Sequence, residues 1–483
     1  MAQTRRQFLV HTGCGALSAA ALLSGLGRFA LIDALAQSGD LPDYKALVCV
    51  FLFGGNDANN VVIPHTNYSD YSSIRGGAQF AIPQADLLQI NPPSTPSLTF
   101  GLNPKLGDAF MTNPSVYTLW NQQKVAIVPN MGPLIRPLTR DEYRAGLARP
   151  YQLFSHSDQQ NLWQTSYATG PRQTGWGGLT ADRTGGSGGN FPAISSIAGV
   201  TVFSTGQNTR PLVLPPAPTL LNQTLRLLRT NDQQAIIDAL TADGQDPMPA
   251  LIRGAAQITQ NALDVSRALS TDPPLVTPFP VTSLGNQLRQ VAKVISFIAN
   301  TPALGVRRQI FFASLGGFDT HTGQGQFGTN NGQLGLLSQV SQAIGALYSA
   351  TVELGVSNQV TIFTSSDFSR TFVPGGGQTG TDHAWGSHQF VVGDAVQGGN
   401  FYGQYPPLVL GDGLDTDAGA GARGRWIPTT SVDQYGATLA KWYGLADSDR
   451  TLVFPNINNF SPQVLDFMLP GTAPARRNTA ARR

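Results

Sequence analysis

Six histidines stand in 483 residues. Three of them occupy glycine-rich stretches with an acid close by: Asp319-Thr-His321, Asp382-His383 and Gly386-Ser-His388. Imidazole and carboxylate together make the ligand mix of zinc, manganese or iron, with magnesium or calcium entering where oxygen ligands dominate. A fourth, His156, lies in Ser155-His-Ser-Asp-Gln-Gln160, where hydroxyl, imidazole and acid are crowded together. On its own that segment suits a helix capped by Ser155 or Ser157. Acids also close three apolar runs: Asp57 after 47–53, Asp319 after 309–315, and Asp367 after 360–364. Arg370, just past Asp367, has a fork that can grip an anionic ester or make an ordinary ion pair.

These residues are distant in sequence, so the fold must gather them. Uninterrupted apolar runs of this length read as strands buried on both faces, as in a parallel sheet flanked by helices. In open α/β sheets the chemistry collects beyond the carboxyl ends of the strands. If the three runs are neighbours, Asp57, Asp319, His321 and Asp367 meet on one rim. Leu337, Val340, Ile344, Leu347 and Tyr348 share a helical face between two of the runs, which predicts a βαβ unit. Helical patterns at 251–269 and 284–298 predict a helical insertion over about 215–305. Further strands are expected at 124–130, 199–204, 389–392 and 408–410. Residues 58–123 read as loops with one or two helices, such as one at 114–121, and Thr430 or Ser431 should cap a helix running to Trp442.

The first 36 residues read as a leader: a twin-arginine pair at Arg5-Arg6, an apolar Ala-rich stretch, and Ala34-Leu-Ala36 as cleavage site. Export by the twin-arginine translocase to the periplasm or beyond is the expectation. The remaining chain is a single α/β domain over 37–470, with a disordered basic tail at 471–483. Lys and Arg number 31 against 29 Asp and Glu. Arg5, Arg6, Arg28 and Asp33 fall in the leader, so the mature chain balances at zero. No basic patch suggests nucleic acid, and no later run is apolar enough to span a membrane. Cys49 is the only cysteine past the leader, which excludes an intramolecular disulfide and a zinc ribbon; within a strand it reads as a small core residue.

Taken in order, Arg5-Arg6, Phe53-Gly-Gly-Asn-Asp57, Gly316-Gly-Phe-Asp-Thr-His321, Thr364-Ser-Ser-Asp-Phe-Ser-Arg-Thr371, Gly380-Thr-Asp-His-Ala-Trp-Gly-Ser-His388 and Ile427-Pro-Thr-Thr-Ser-Val-Asp-Gln-Tyr435 resemble the bacterial exported family catalogued as domain of unknown function 1501. The resemblance implies a fold similar to alkaline phosphatases and sulfatases: a mostly parallel central sheet sandwiched by helices, with a metal centre at the strand ends. It implies Asp57, Asp319, His321, Asp367, His383 and His388 as ligands of a divalent metal, zinc first. Phe368 stands where that superfamily commonly has a histidine, and His383 could substitute for it. No Cys-x-Pro-x-Arg or Ser-x-Pro-x-Arg motif of a formylglycine sulfatase occurs. The expected function is an exported metal-dependent hydrolase of phosphate or sulfate esters on small molecules or glycans, with Ser157, His156 and Arg370 as catalytic candidates. The rival expectation is a non-catalytic binding or assembly protein on the same fold.

Overall fold

The computed structural model describes residues 44–470 apart from 77–79, 187–190, 222–272, 274, 301–303, 326–330 and 376–378. The expected leader, the helix at 251–269 and the tail lie outside the described residues.

Two sheets are built from β1 (Lys45–Leu52), β2 (Val62–Pro64), β3 (Leu88–Ile90), β4 (Phe100–Leu102), β5 (Val125–Gly132), β6 (Ile194–Ser196), β7 (Leu212–Val213), β8 (Arg308–Leu315), β9 (Val360–Ser366), β10 (Ser387–Val392) and β11 (Thr430–Ser431). Among the described residues the large sheet has eight strands, in the order β11-β5-β10-β9-β1-β8-β6-β7. Its pairings are parallel except those of β10, which runs against both β5 and β9. The sheet is therefore the mostly parallel, helix-covered one that the apolar runs predict. β1 sits between β8 and β9, with Leu52 level with both Leu315 and Ser366. The loops after β1, β8 and β9 thus leave from one edge. Because β10 is reversed, the segment entering it, which carries Asp382 and His383, arrives at that same edge.

Strand alternation explains the burial on both faces. Ala46, Val48, Val50 and Leu52 of β1 point into one core with helices α3 (Ser283–Ala299) and α4 (Gly332–Glu353). Leu47, Cys49 and Phe51 point into the other, with Trp163 of α1 (His156–Thr165), Trp176 and Leu179 of α2 (Trp176–Arg183), and Tyr435 and Leu439 of α5 (Val432–Tyr443). Burying each side chain of this size contributes about 1.5–3 kcal/mol, so both faces are held strongly. Cys49 is a core residue, and burial raises its thiol pKa. The βαβ unit β8–α4–β9 forms as its helical face predicts. The described helix of the insertion, α3, covers the sheet directly. Ser431 caps α5 in a capping box with Gln434.

Three sequence expectations are corrected. Residues 199–204 form a turn stitched by Thr201 and Ser204 hydroxyls, and the strand is the earlier β6. No strand forms at 408–410, because Leu408 has φ 57° in the left-handed region, which ends an extended run. The stretch 58–123 contains the small sheet β2-β4-β3, whose three-residue strands are too short to show a period.

Candidate metal centre

Ser155 starts α1, its hydroxyl donating to Asp158 Oδ2 at 2.6 Å, and His156 takes the first helical position at the rim. Asp319 and His321 stand on the loop after β8, and His383 on the approach to β10. Four ligand atoms, one each from His156, Asp319, His321 and His383, lie within 4.8 Å of one another. Asp319 Oδ1 is the hub: it is 3.4 Å from His156 Nε2, 3.4 Å from His321 Nε2 and 3.7 Å from His383 Nε2.

Glycine makes the approach of these loops feasible. A Cβ on Gly54 (φ 113°) would fall 2.2 Å from the Asp319 amide nitrogen, and one on Gly380 would fall 2.2 Å from the Thr320 carbonyl. Both loops pack backbone to backbone, which no side chain at these positions would allow.

Each ring is tied at its other nitrogen. His156 Nδ1–H donates to Asp367 Oδ2 at 2.7 Å, His321 Nδ1–H to Asp382 Oδ1 at 3.1 Å, and His383 Nδ1–H to the Phe154 carbonyl at 2.6 Å. An imidazole that gives its Nδ1 proton to an acceptor keeps Nε2 as a lone pair, the arrangement that orients metal-binding histidines. His156 Nε2 is buried without a hydrogen-bond partner, and the Nε2 atoms of His321 and His383 face each other at 2.8 Å. Lone pairs that close require a proton or a cation between them. Three imidazole nitrogens and one carboxylate oxygen also form a donor set that suits zinc. On these grounds the residues fit a divalent ion.

Charge is arranged around the cluster. The Asp367 hydrogen bond is the main reason the His156 pKa is raised, against the opposing effect of burial. Burial lowers that of His383. Burial also pushes Asp319 upward, but the charges of His156, Arg370 and His321 outweigh it and leave its pKa lowered. Phe368, where the resemblance suggested a histidine, is fully buried and packs its ring 4.8 Å from His156 and 4.7 Å from His383. It forms an apolar floor under both rings.

The structure separates the remaining candidates. Asp57 is 1% exposed and saturated: Arg75 Nη1 donates to Oδ2 at 2.5 Å and Nη2 to Oδ1 at 3.2 Å, Gln324 Nε2 donates to Oδ2 at 2.6 Å, and Asn59 donates to Oδ1. With both oxygens held by fixed donors, it is a structural clamp rather than a ligand. Asp367 is fully buried and serves as the acceptor behind His156, outside the set of converging ligand atoms. His388 is 3% exposed within β10, takes the Asn130 amide proton on Nδ1 at 3.0 Å, and has its pKa lowered to about 4 by burial. It belongs to the sheet interior and is not in the cluster.

Arg370 is also fully buried. It donates to Asp319 Oδ1 at 3.0 Å and to the Thr381 carbonyl, so it grips a cluster carboxylate from below and is not free to grip an ester. Ser157 is exposed on the first turn of α1, with Ser155 Oγ at 3.4 Å as its hydrogen-bond contact. Neither an imidazole nor a carboxylate of the cluster activates it.

Three contributors escaped the sequence reading as site residues: Gln160, which donates to Asp367 Oδ2 at 2.9 Å; Asp382; and Arg423, which holds Asp382 Oδ2 at 2.7 Å. The spacing of His156 and Gln160, one helical turn apart, was the available signal. A cavity of about 670 Å³ lies elsewhere, lined by Phe100, Leu138, Tyr405 and Leu408 among others, and no cluster residue borders it. The convergent donors, not this cavity, mark the site, because chemistry needs groups that can act on one atom.

Comparison with curated proteins finds no match. Among solved structures, Ps i-CgsB in complex with k-i-k-neocarrahexaose is 10% identical, with 86% of this chain and 77% of that chain covered at a TM-score of 0.33. The PsFucS1 sulfatase from Pseudoalteromonas sp. is 12% identical, with 88% and 72% covered at 0.29. A Bacteroides thetaiotaomicron protein of a locus for the metabolism of multiple glycosaminoglycans is 9% identical, with 84% and 74% covered at 0.29. The family described as "Protein of unknown function (DUF1501)" matches residues 44–412, and the chain belongs to it.

Proposed function

We propose that this member of the family is a metal-dependent hydrolase of phosphate or sulfate esters, on a small molecule or a glycan, that holds one divalent ion at His156, Asp319, His321 and His383. One observation carries the reading: three imidazoles turn their Nε2 atoms toward a single carboxylate oxygen, each with Nδ1 tied to an acceptor. Zinc is the ion that this nitrogen-rich set favours. When bound, such an ion supplies Lewis-acid polarisation of an ester oxygen.

The chain's own residues do the rest. Asp367 and Asp382 hold two of the rings in a fixed tautomer, and the Phe154 carbonyl holds the third. Asp319 and His321 are about half exposed, which leaves the cluster open to a substrate from solvent. Arg370 offsets the Asp319 charge, so an anionic ester meets less repulsion at the hub.

A second reading, a non-catalytic exported binding or assembly protein, is favoured by the isolation of the Ser157 hydroxyl, which has no base within hydrogen-bond reach among the described residues. Turnover of aryl phosphate and aryl sulfate esters by metal-loaded protein, compared with Asp319→Ala, separates the two. Turnover that is lost in the variant supports the hydrolase. Bound metal without turnover of either ester moves the assignment to the binding role. Export through the twin-arginine translocase rests on Arg5 and Arg6; replacing both by Lys should keep the protein in the cytoplasm, and unchanged export would refute it.

A further inference from the structure

Asp367 is the acceptor on which the orientation of His156 depends, and its environment is spare. The carboxylate is fully buried, and its Oδ1 has no hydrogen-bond partner. Both bonds fall on Oδ2: His156 Nδ1 at 2.7 Å and Gln160 Nε2 at 2.9 Å. His156 and Gln160 sit one turn apart on the same face of α1, so a single helical edge presents both donors to the end of β9.

From this juxtaposition we infer that Gln160 is a positioning residue of the metal centre, fixing Asp367 so that the His156 ring aims Nε2 at the Asp319 hub. The inference rests on the reading of His156 as a metal ligand. Without the Gln160 donor, Asp367 keeps one partner and gains freedom to turn about its side-chain bonds. The imidazole then loses its fixed direction, and one of four ligands is no longer presented in place. The adjacent Gln159 provides an internal contrast. It is buried where Gln160 is half-buried, and its amide donates to the carbonyls of Tyr151 and Gln152 rather than to a cluster residue.

The test uses the full chain, purified free of metal and titrated with zinc against a chromophoric chelator, with the visible absorption of the cobalt(II)-loaded protein as a second readout. Gln160→Leu should bind zinc about 10- to 100-fold more weakly than wild type, with an altered cobalt spectrum and a metal-free melting temperature close to that of Gln159→Leu. Gln159→Leu should keep wild-type affinity and spectrum. If Gln160→Leu fails to fold, Gln160→Met, of similar length and without the donor, takes its place with the same expectation. Equal affinity and an unchanged spectrum in the Gln160 variant would overturn the inference, as would an equal loss in Gln159→Leu. Wild-type protein that binds no zinc would instead remove the metal-centre reading, and this inference with it.

Discussion

Asp57 and Asp319 leave neighbouring strands from the same edge of the sheet, yet they meet opposite surroundings. Asp57 is enclosed by donors: the Arg75 guanidinium, the Gln324 amide and Asn59 use both of its oxygens. Asp319 is 48% exposed and faces three imidazoles, each presenting a lone pair because its proton is committed elsewhere. Among the described residues, only Arg370 donates to it, from below. An acid at the end of a strand therefore becomes a candidate ligand or a clamp according to whether its neighbours offer lone pairs or protons. Around Asp57 the donors close over both oxygens; around Asp319 one buried guanidinium, Arg370, is built in and the imidazole lone pairs are left to recruit a further cation.

The largest effect should come from breaking the enclosed side. Arg75→Met leaves the buried Asp57 charge without its cation, with only the Gln324 and Asn59 donors remaining, and should cost about 3–5 kcal/mol of stability, read by denaturant unfolding, whether or not zinc is present. A loss below about 1 kcal/mol would mean that Asp57 finds water or another partner and is not a closed clamp.

Two buried groups sharpen the comparison through pH. His388, with a pKa of about 4 in the fold, stays neutral there while the unfolded chain binds a proton below about pH 6.5. Its contribution to stability is therefore lost as the pH falls from about 6.5 to about 4, by about 3 kcal/mol. Asp433, whose pKa burial raises to about 7, works in the opposite sense. Between about pH 4 and about 7 the folded state holds a proton that the unfolded chain has released, so stability falls as the pH rises. The two slopes oppose each other in the wild type. His388→Gln should unmask stability that decreases with rising pH, and Asp433→Asn stability that increases with it. Parallel curves for wild type and both variants would contradict these burial effects.

On the open side the costs to folding should be small. His321→Ala removes a side chain that is 47% exposed and should change metal-free stability by about 0.5 kcal/mol or less, while zinc affinity collapses. A large loss of stability without metal would assign His321 to structure instead. Smallest of all should be Ser157→Ala: with no base in contact, ester turnover should stay within about threefold of wild type. A fall of about a thousandfold or more would restore Ser157 as the nucleophile.

Much of the frame was legible in the sequence because it rests on periodicity. The runs at 47–53, 309–315 and 360–364 are apolar on both faces and became adjacent parallel strands; the shared face of Leu337, Val340, Ile344 and Leu347 became the crossover helix. The three-residue strands of the small sheet carry no period and were invisible. At the site, residue type was legible and partnership was not. Asp57, Asp319 and Asp367 look alike as acids after strands. Only folding puts Arg75 on the first, three imidazoles around the second, and His156 with Gln160 on the third. His388 was drawn in by its glycine-rich neighbourhood, but its place in β10 turns it into the interior. Arg370 reads as an anion grip from its fork, yet its burial directs that fork to Asp319 and Thr381.

The most direct test is the zinc content of protein purified after native expression and export, set beside His383→Ala and Asp57→Asn. The open cluster predicts about one ion per chain, lost in His383→Ala and retained in whatever fraction of Asp57→Asn remains folded. No metal in the wild type, or loss in the folded Asp57 variant with retention in the His383 variant, would contradict the assignment of the centre to His156, Asp319, His321 and His383.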